Sequence, residues 1–194
     1  MNALNGPQRD ACLFDDIAIH AVKIGMVAST SLIEAIADTL AGLDRPPVVL
    51  DPVMISKSGF PLLQEAAQSA LVKHLFPLAE VVTPNIHEAE RLIGRPIETV
   101  AAMQDAARAI LELGARQVVV KGGHLGRGSA TDVLFDGKSF RLLESRRIDT
   151  VNTHGTGCTF SSAIAAHMAR GESFFDAVTQ AKVYITGAIE NALS

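Results

Sequence analysis

"EVVTPNIHEAERLIG", residues 80–94, decides the fold. Its first part, Glu80 to Asn85, is a strand candidate that runs with no spacer into "IHEAERLIG". A short apolar run rich in β-branched residues suits a strand covered on both faces. The same alternation extends in both directions. Upstream, "AVKIG" (21–25) and "PVVLD" (47–51) are strand candidates. Between them "STSLIEAIADTLAG" (29–42) has capping residues at its start and a glycine at its stop, the marks of a helix. "LLQEAAQSALVKHLF" (62–76) is predicted helical and halted by Pro77. Downstream, "TVAAMQDAARAILELGA" (99–115) is an amphipathic helix and "QVVVKGG" (117–123) a fourth parallel-type strand. "TDVLFDGKSFRLLES" (131–145) reads as a hairpin about Asp136-Gly137, and helices follow at 156–170 and 173–191. Strands alternating with helices imply a three-layer α/β fold, a mostly parallel central sheet with helices on both faces. No repeat, linker or low-complexity tract breaks the pattern, so residues 1–194 read as a single domain.

In such sheets ligands bind beyond the C-terminal ends of the strands. The residues at those ends are Lys23 to Met26, Asp51 to Met54, Thr83 to Asn85 followed by His87 and Glu88, and Lys121 to Gly123. Each alone could be a turn-former or a solvated strand end. Together they gather polar groups of both signs at one rim, which is the pattern of a site.

"NTHGTGCTFSSAIAAHMA" (152–169) supplies the complementary piece. The first turn of a helix has N–H groups without intrahelical acceptors, and the macrodipole adds positive potential. Gly155 and Gly157 allow close backbone approach, and Thr153 and Thr156 can add hydroxyl donors. Such a terminus binds anions, phosphate above all. The same field favours a thiolate at Cys158. Two readings stay open for that thiol: a base or nucleophile, or a small side chain packed against the sheet.

The bulk numbers exclude several classes. The 194 residues are 48% hydrophobic and 20% charged, a composition that folds. A net charge of −4 argues against nucleic acid as a partner, because a phosphate-backbone binder wants a basic face. Cys12 and Cys158 are too few for a disulfide framework. The opening "MNALNGPQRDACLFDD" has no basic segment followed by an apolar run, and no stretch suits a spanning helix, so a cytoplasmic protein without a membrane partner is expected. There is no G-x-x-x-x-G-K-[ST] loop, and "GGHLGRG" (122–128) only loosely suggests a nucleotide loop. His154 and Cys158 stand four apart, but no second ligand pair accompanies them, which disfavours zinc.

"VKIGM", "LDPVM", "VVTPNIHEAERL", "VVVKGGH" and "NTHGTGCTFSSAIAA", in that order, resemble the hydroxymethylpyrimidine/phosphomethylpyrimidine kinases of thiamine biosynthesis. These belong to the ribokinase-like superfamily, with pyridoxal kinases as near relatives. The resemblance runs from about Leu13 to the C-terminus. It implies ATP and Mg2+ as cofactors, a small pyrimidine alcohol or its phosphate as acceptor, and a homodimer. It implies Cys158 as the group that takes or orients the acceptor proton, where most of the superfamily has an aspartate. Lys121 is similar to the family lysine that reaches the ATP phosphates. Gly155, Thr156 and Gly157 would surround the transferring phosphoryl group. Thr153 matches a threonine lining the nucleotide phosphates, and Lys182 a residue near the nucleotide pocket. Asn85 and Glu88 match an N-x-x-E element that holds Mg2+ largely through water, with Asp51 helping to place the metal. Met26 and Val53 match positions facing the pyrimidine ring.

Family chains open with a strand, a glycine-rich loop and a helix before the part that resembles "LFDDIAIHAVKIGM". No counterpart precedes Leu13 here, so the reading is of a domain shortened at its N-terminus, with a bare edge or groove expected beside "AVKIG". That departure keeps alternatives in view. One is a catalytically silent form that binds nucleotide or a partner subunit. Another is a pyridoxal-type kinase. A third, a cysteine-nucleophile acyl-transfer enzyme, would need His154 or His167 as base beside Cys158.

Overall fold

The computed structural model describes residues 13–14, 16–42, 46–55, 62–123, 125, 129–146, 148 and 155–191. Among these residues six strands form one sheet: β1 (Val22–Ile24), β2 (Val48–Leu50), β3 (Val81–Val82), β4 (Gln117–Val120), β5 (Ser129–Phe135) and β6 (Phe140–Arg146). Their spatial order equals their chain order, with β1 to β4 parallel and β5 and β6 antiparallel. The helices are α1 (Thr30–Ala41), α2 (Glu65–Ala70), α3 (Ile86–Ile93), α4 (Val100–Glu112), α5 (Thr156–Ala169) and α6 (Phe174–Glu190).

The layering follows from the topology. Parallel strands added always in one direction by right-handed crossovers place every crossover helix on the same face. Accordingly Ile24, Leu50, Val82 and Val118 pack with Ile33 of α1, Ala67 of α2, Ala89 of α3 and Met103 of α4. The opposite face is left for the chain's last helices. Val49, Val81, Val119 and Leu134 pack there with Phe160 and Ile164 of α5 and Val178 and Ala181 of α6. Both sides of β2 are therefore dry, which is why its sequence reads as an unbroken apolar run.

The helix boundaries obey the local signals. Ser29, Thr99 and Ser173 each cap the helix that follows by accepting from a first-turn N–H. The segment 62–76 departs from expectation. It is α-helical only over Glu65–Ala70, then widens into a π turn, Leu71–Leu75, and tightens into a 3-10 turn, Phe76–Leu78. Pro77 lies inside that last turn, near its start, where a missing N–H costs nothing. The irregular path leaves Leu71, Leu75 and Phe76 fully buried. The hairpin turns at Asp136-Gly137 as expected. Gly137 takes φ +88° and the Asp136 carboxylate accepts N–H bonds from Lys138 (2.8 Å) and Ser139 (2.7 Å).

Among the described residues β1 is an outer strand, and a groove of about 500 Å3 lies beside it, lined by Leu13, Phe14, Val22, Leu32 and Ile36 among others. No helix among the described residues is long and apolar enough to cross a membrane.

Candidate active site

Strand alternation builds the site. Side chains two apart on a strand share a face. Val49, Val81 and Val119 face α5, so Asp51, Thr83 and Lys121, two residues further on, are directed to the same side at the strands' ends. The backbone ladder extends just far enough to fix them: the N–H of Asp51 donates to Ile24 (2.9 Å), that of Thr83 to Leu50 (3.0 Å) and that of Lys121 to Pro84 (2.9 Å).

The Asp51 carboxylate is the hub. It is 1% exposed. Its Oδ1 accepts from Lys121 Nζ at 2.8 Å and from Thr83 Oγ1 at 3.2 Å. Its Oδ2 lies 3.3 Å from the hydroxyl of Ser161, which also reaches the carbonyls of Gly157 and Cys158. Ser161 thus ties the first turn of α5 to the strand ends. A buried carboxylate needs this many donors to offset its lost hydration.

Lys121 bridges the two halves. Its ammonium sits against Gly157, where an added Cβ would stand 3.4 Å from Nζ. Gly155, the N-cap of α5, has φ +76°, the left-handed region that favours glycine. Cys158 follows in the first turn and is exposed and unbonded to another sulfur. Exposure sets aside the reading of the thiol as a side chain packed in the core.

Glu88 closes the rim from α3. Asn85 caps that helix through a reciprocal box: its Oδ1 accepts the Glu88 N–H (2.9 Å) and Glu88 Oε2 accepts the Asn85 N–H (2.8 Å). Burial pushes the Glu88 carboxyl up to about 7, Lys121 opposes that rise, and the charge of Asp51 adds to it. A carboxyl whose folded value lies above its unfolded 4.5 is stabilising to the fold only while protonated. Its contribution is complete below about pH 4.5 and is lost as pH rises through about 7. Glu88→Gln keeps the box acceptor and removes this titration. The variant is expected to gain stability over wild type across that window, by an amount on the order of 3 kcal/mol at pH 8. Urea unfolding at pH 5 and pH 8 checks it; a gap between the two proteins that does not change with pH contradicts it.

Lys182 occupies a neighbouring cluster. It pairs with Asp132 of β5 at 2.7 Å, and Asp132 accepts the N–H of Gly122 at 2.9 Å. Met26, past the end of β1, is 55% exposed and lines the groove; Val53 is half-buried just beyond Asp51. Thr153, expected beside the phosphates, and His154 lie outside the described residues, as does Cys12. Thr83 reads in the sequence only as one of the strand-end rim residues, and Ser161 and Asp132 are the participants that sequence reasoning did not single out. Among the described residues no group of three or more His, Cys, Asp or Glu side chains could by itself hold a metal ion. Asp51, Asn85 and Glu88 already spend oxygens on protein donors. Their all-oxygen chemistry suits a hydrated Mg2+ contacted through water rather than a dedicated protein cage.

A family model described as phosphomethylpyrimidine kinase matches residues 8–194. The chain belongs to that family. It is 51% identical over 185 residues to a thiamine biosynthesis bifunctional protein of Geobacter sulfurreducens, covering 95% of this chain and 38% of that protein. It is 49% identical over 186 residues to a hydroxymethylpyrimidine/phosphomethylpyrimidine kinase of Rhizobium meliloti, covering 95% of this chain and 69% of the relative. Among solved structures, the ADP complex of Bacillus subtilis pyridoxal kinase superposes with a TM-score of 0.87 at 39% identity, over 98% of this chain and 72% of that one. The chain thus spans about two-fifths of the bifunctional relative and about two-thirds of the kinase. The fold common to phosphomethylpyrimidine kinases and their neighbours is the one described above, with its mostly parallel sheet and rim.

Proposed function

We propose that the chain transfers the γ-phosphoryl group of ATP to hydroxymethylpyrimidine, its monophosphate, or both. The observation that carries this reading is the Asp51–Lys121 pair set against the Gly155–Cys158 turn of α5. A cation pinned by a buried carboxylate, facing a helix N-terminus, is a built place for a polyphosphate. Membership of a family of phosphomethylpyrimidine kinases and the ADP complex of a superposable kinase support the nucleotide part.

Phosphoryl transfer depends mostly on positioning and on stabilising charge that spreads over the moving group. The N–H groups of the α5 first turn and the Lys121 ammonium are the donors for that charge. Cys158, exposed at the same turn, would hold or accept the proton of the acceptor hydroxyl. Met26 and Val53 would offer apolar faces to a flat heteroaromatic ring. Glu88, Asn85 and Asp51 would hold Mg2+ through water, and the ion would supply charge that offsets that of the phosphates. A pyridoxal-type acceptor is the second reading, favoured by the superposition on a pyridoxal kinase.

Titration calorimetry with Mg·ATP, followed by an ADP-release assay with and without each acceptor, tests the proposal. Saturable nucleotide binding with pyrimidine-dependent ADP release is expected. Binding without acceptor-dependent turnover supports the silent alternative, and no heat at millimolar nucleotide removes the nucleotide reading.

A further inference from the structure

Behind the rim, Asp132 holds two things at once. The residue is buried. Oδ1 accepts the Gly122 N–H at 2.9 Å and Oδ2 accepts Lys182 Nζ at 2.7 Å. Gly122 is the next residue after Lys121, so the peptide that carries one rim cation is anchored by the carboxylate that holds the other. The anchoring is tight. A Cβ at Gly122 would fall 1.8 Å from the Thr131 carbonyl oxygen, so the rim turn lies directly on β5.

The exposure is asymmetric in a telling way. The side chain of Lys182 is 18% exposed and that of Asp132 is 4%. Lys121 and Asp51 repeat this at 15% and 2%. In both pairs the carboxylate is almost fully buried while the lysine side chain that pairs with it keeps some exposure. An ammonium has three N–H donors, and among the described residues each of these spends one on its carboxylate. A cation pinned this way loses little side-chain freedom when an anion takes the remaining donors.

We propose that Asp132 is a positioning residue for the nucleotide: it presets the Lys121–Gly123 turn and the Lys182 ammonium for an incoming nucleoside polyphosphate without touching it. This rests on the nucleotide reading above and adds a residue, and a second buried ion pair, to it.

A double-mutant cycle on Mg·ADP binding, read by calorimetry alongside thermal unfolding, tests it. Asp132→Asn keeps an acceptor for Gly122 but releases Lys182, and should weaken binding about tenfold. Lys182→Gln should weaken it about as much. Because both changes break one device, the double variant should also be about tenfold weaker, not a hundredfold. The double variant strands no buried charge, so it reads the effect even if a single variant fails to fold. Losses that multiply, a folded double variant with wild-type affinity, or lower melting temperatures with unchanged affinity each overturn the positioning role alone. No Mg·ADP binding by the wild type overturns the nucleotide reading itself, and the positioning role with it.

Discussion

Gly122→Ala is expected to cost the chain its fold, or at least more than 10 °C of melting temperature by a rough size scaling. The cause is one methyl group. Its carbon would sit 1.8 Å from the Thr131 oxygen, 2.8 Å from the Thr131 carbonyl carbon and 3.0 Å from Met103 Cε. The first two are backbone atoms of the neighbouring strand, and no rotamer change moves them. Relief requires β4 and β5 to part at their rim end. That pulls on the Val120–Val133 pairing and on the bond from Gly122 to Asp132. Separation would also let water reach the Asp132 carboxylate, which is almost fully buried beside Lys182. Gly123→Ala is the control. Nothing lies within 4 Å of a Cβ there, and its φ is not in the left-handed region, so its melting temperature should stay close to wild type. Calorimetric scans of both variants decide. A Gly122→Ala protein melting within 2 °C of Gly123→Ala would show that the β4–β5 contact is looser than described.

The parts of this fold that were legible in sequence are those where one physical rule acts alone. "PVVLD" and "QVVVKGG" are strands because nothing but a doubly covered strand suits them, and the sheet places both in its middle. Asp51 and Lys121 stand out in the sequence because each is a charge at the end of an apolar strand, and the structure brings the two together as one ion pair. The 62–76 segment was not legible, because nothing in the spacing of Leu71, Leu75 and Phe76 distinguishes an α turn from a π turn, and the choice is made by the cavity they fill.

The polar second layer was hidden for a related reason. Ser161 reads as one more small residue in "CTFSSAIAA"; only the approach of α5 to β2 reveals that its hydroxyl meets Asp51. Thr83 reads as one of several strand-end residues with no partner named, and Asp132 as a polar residue on a hairpin strand. Asp132 and Lys182 are 50 positions apart, and no local pattern joins them. Lys182 was reached by resemblance alone, and the partner behind it needed three dimensions. Cys158 shows the opposite case, where sequence left two readings and a single structural fact, exposure, sets aside the packed one.

Cys158→Ala is expected to lower acceptor-dependent phosphoryl transfer roughly 10²–10⁴-fold while leaving Mg·ATP affinity within about twofold. The thiol is exposed, so its removal opens no cavity, and the melting temperature should barely move. The phosphate-facing groups are untouched: the first-turn N–H groups of α5 are backbone, and Lys121 is held by Asp51 and packed on Gly157, not on the thiol. What disappears is the thiol at that turn, the group proposed to hold or take the acceptor's proton. Cys158→Asp puts a carboxylate oxygen at a similar reach from the same backbone and should recover part of the rate. Transfer of radiolabelled γ-phosphate to hydroxymethylpyrimidine gives the rate, and calorimetry gives the affinity. If Cys158→Ala transfers phosphate at the wild-type rate, the proton is managed elsewhere and the thiol is a bystander at the helix start. If rate and nucleotide affinity fall together, Cys158 belongs to the nucleotide site and not to the acceptor side. Loss of rate alone, with partial recovery in the aspartate variant, places the chemistry at the turn where α5 begins.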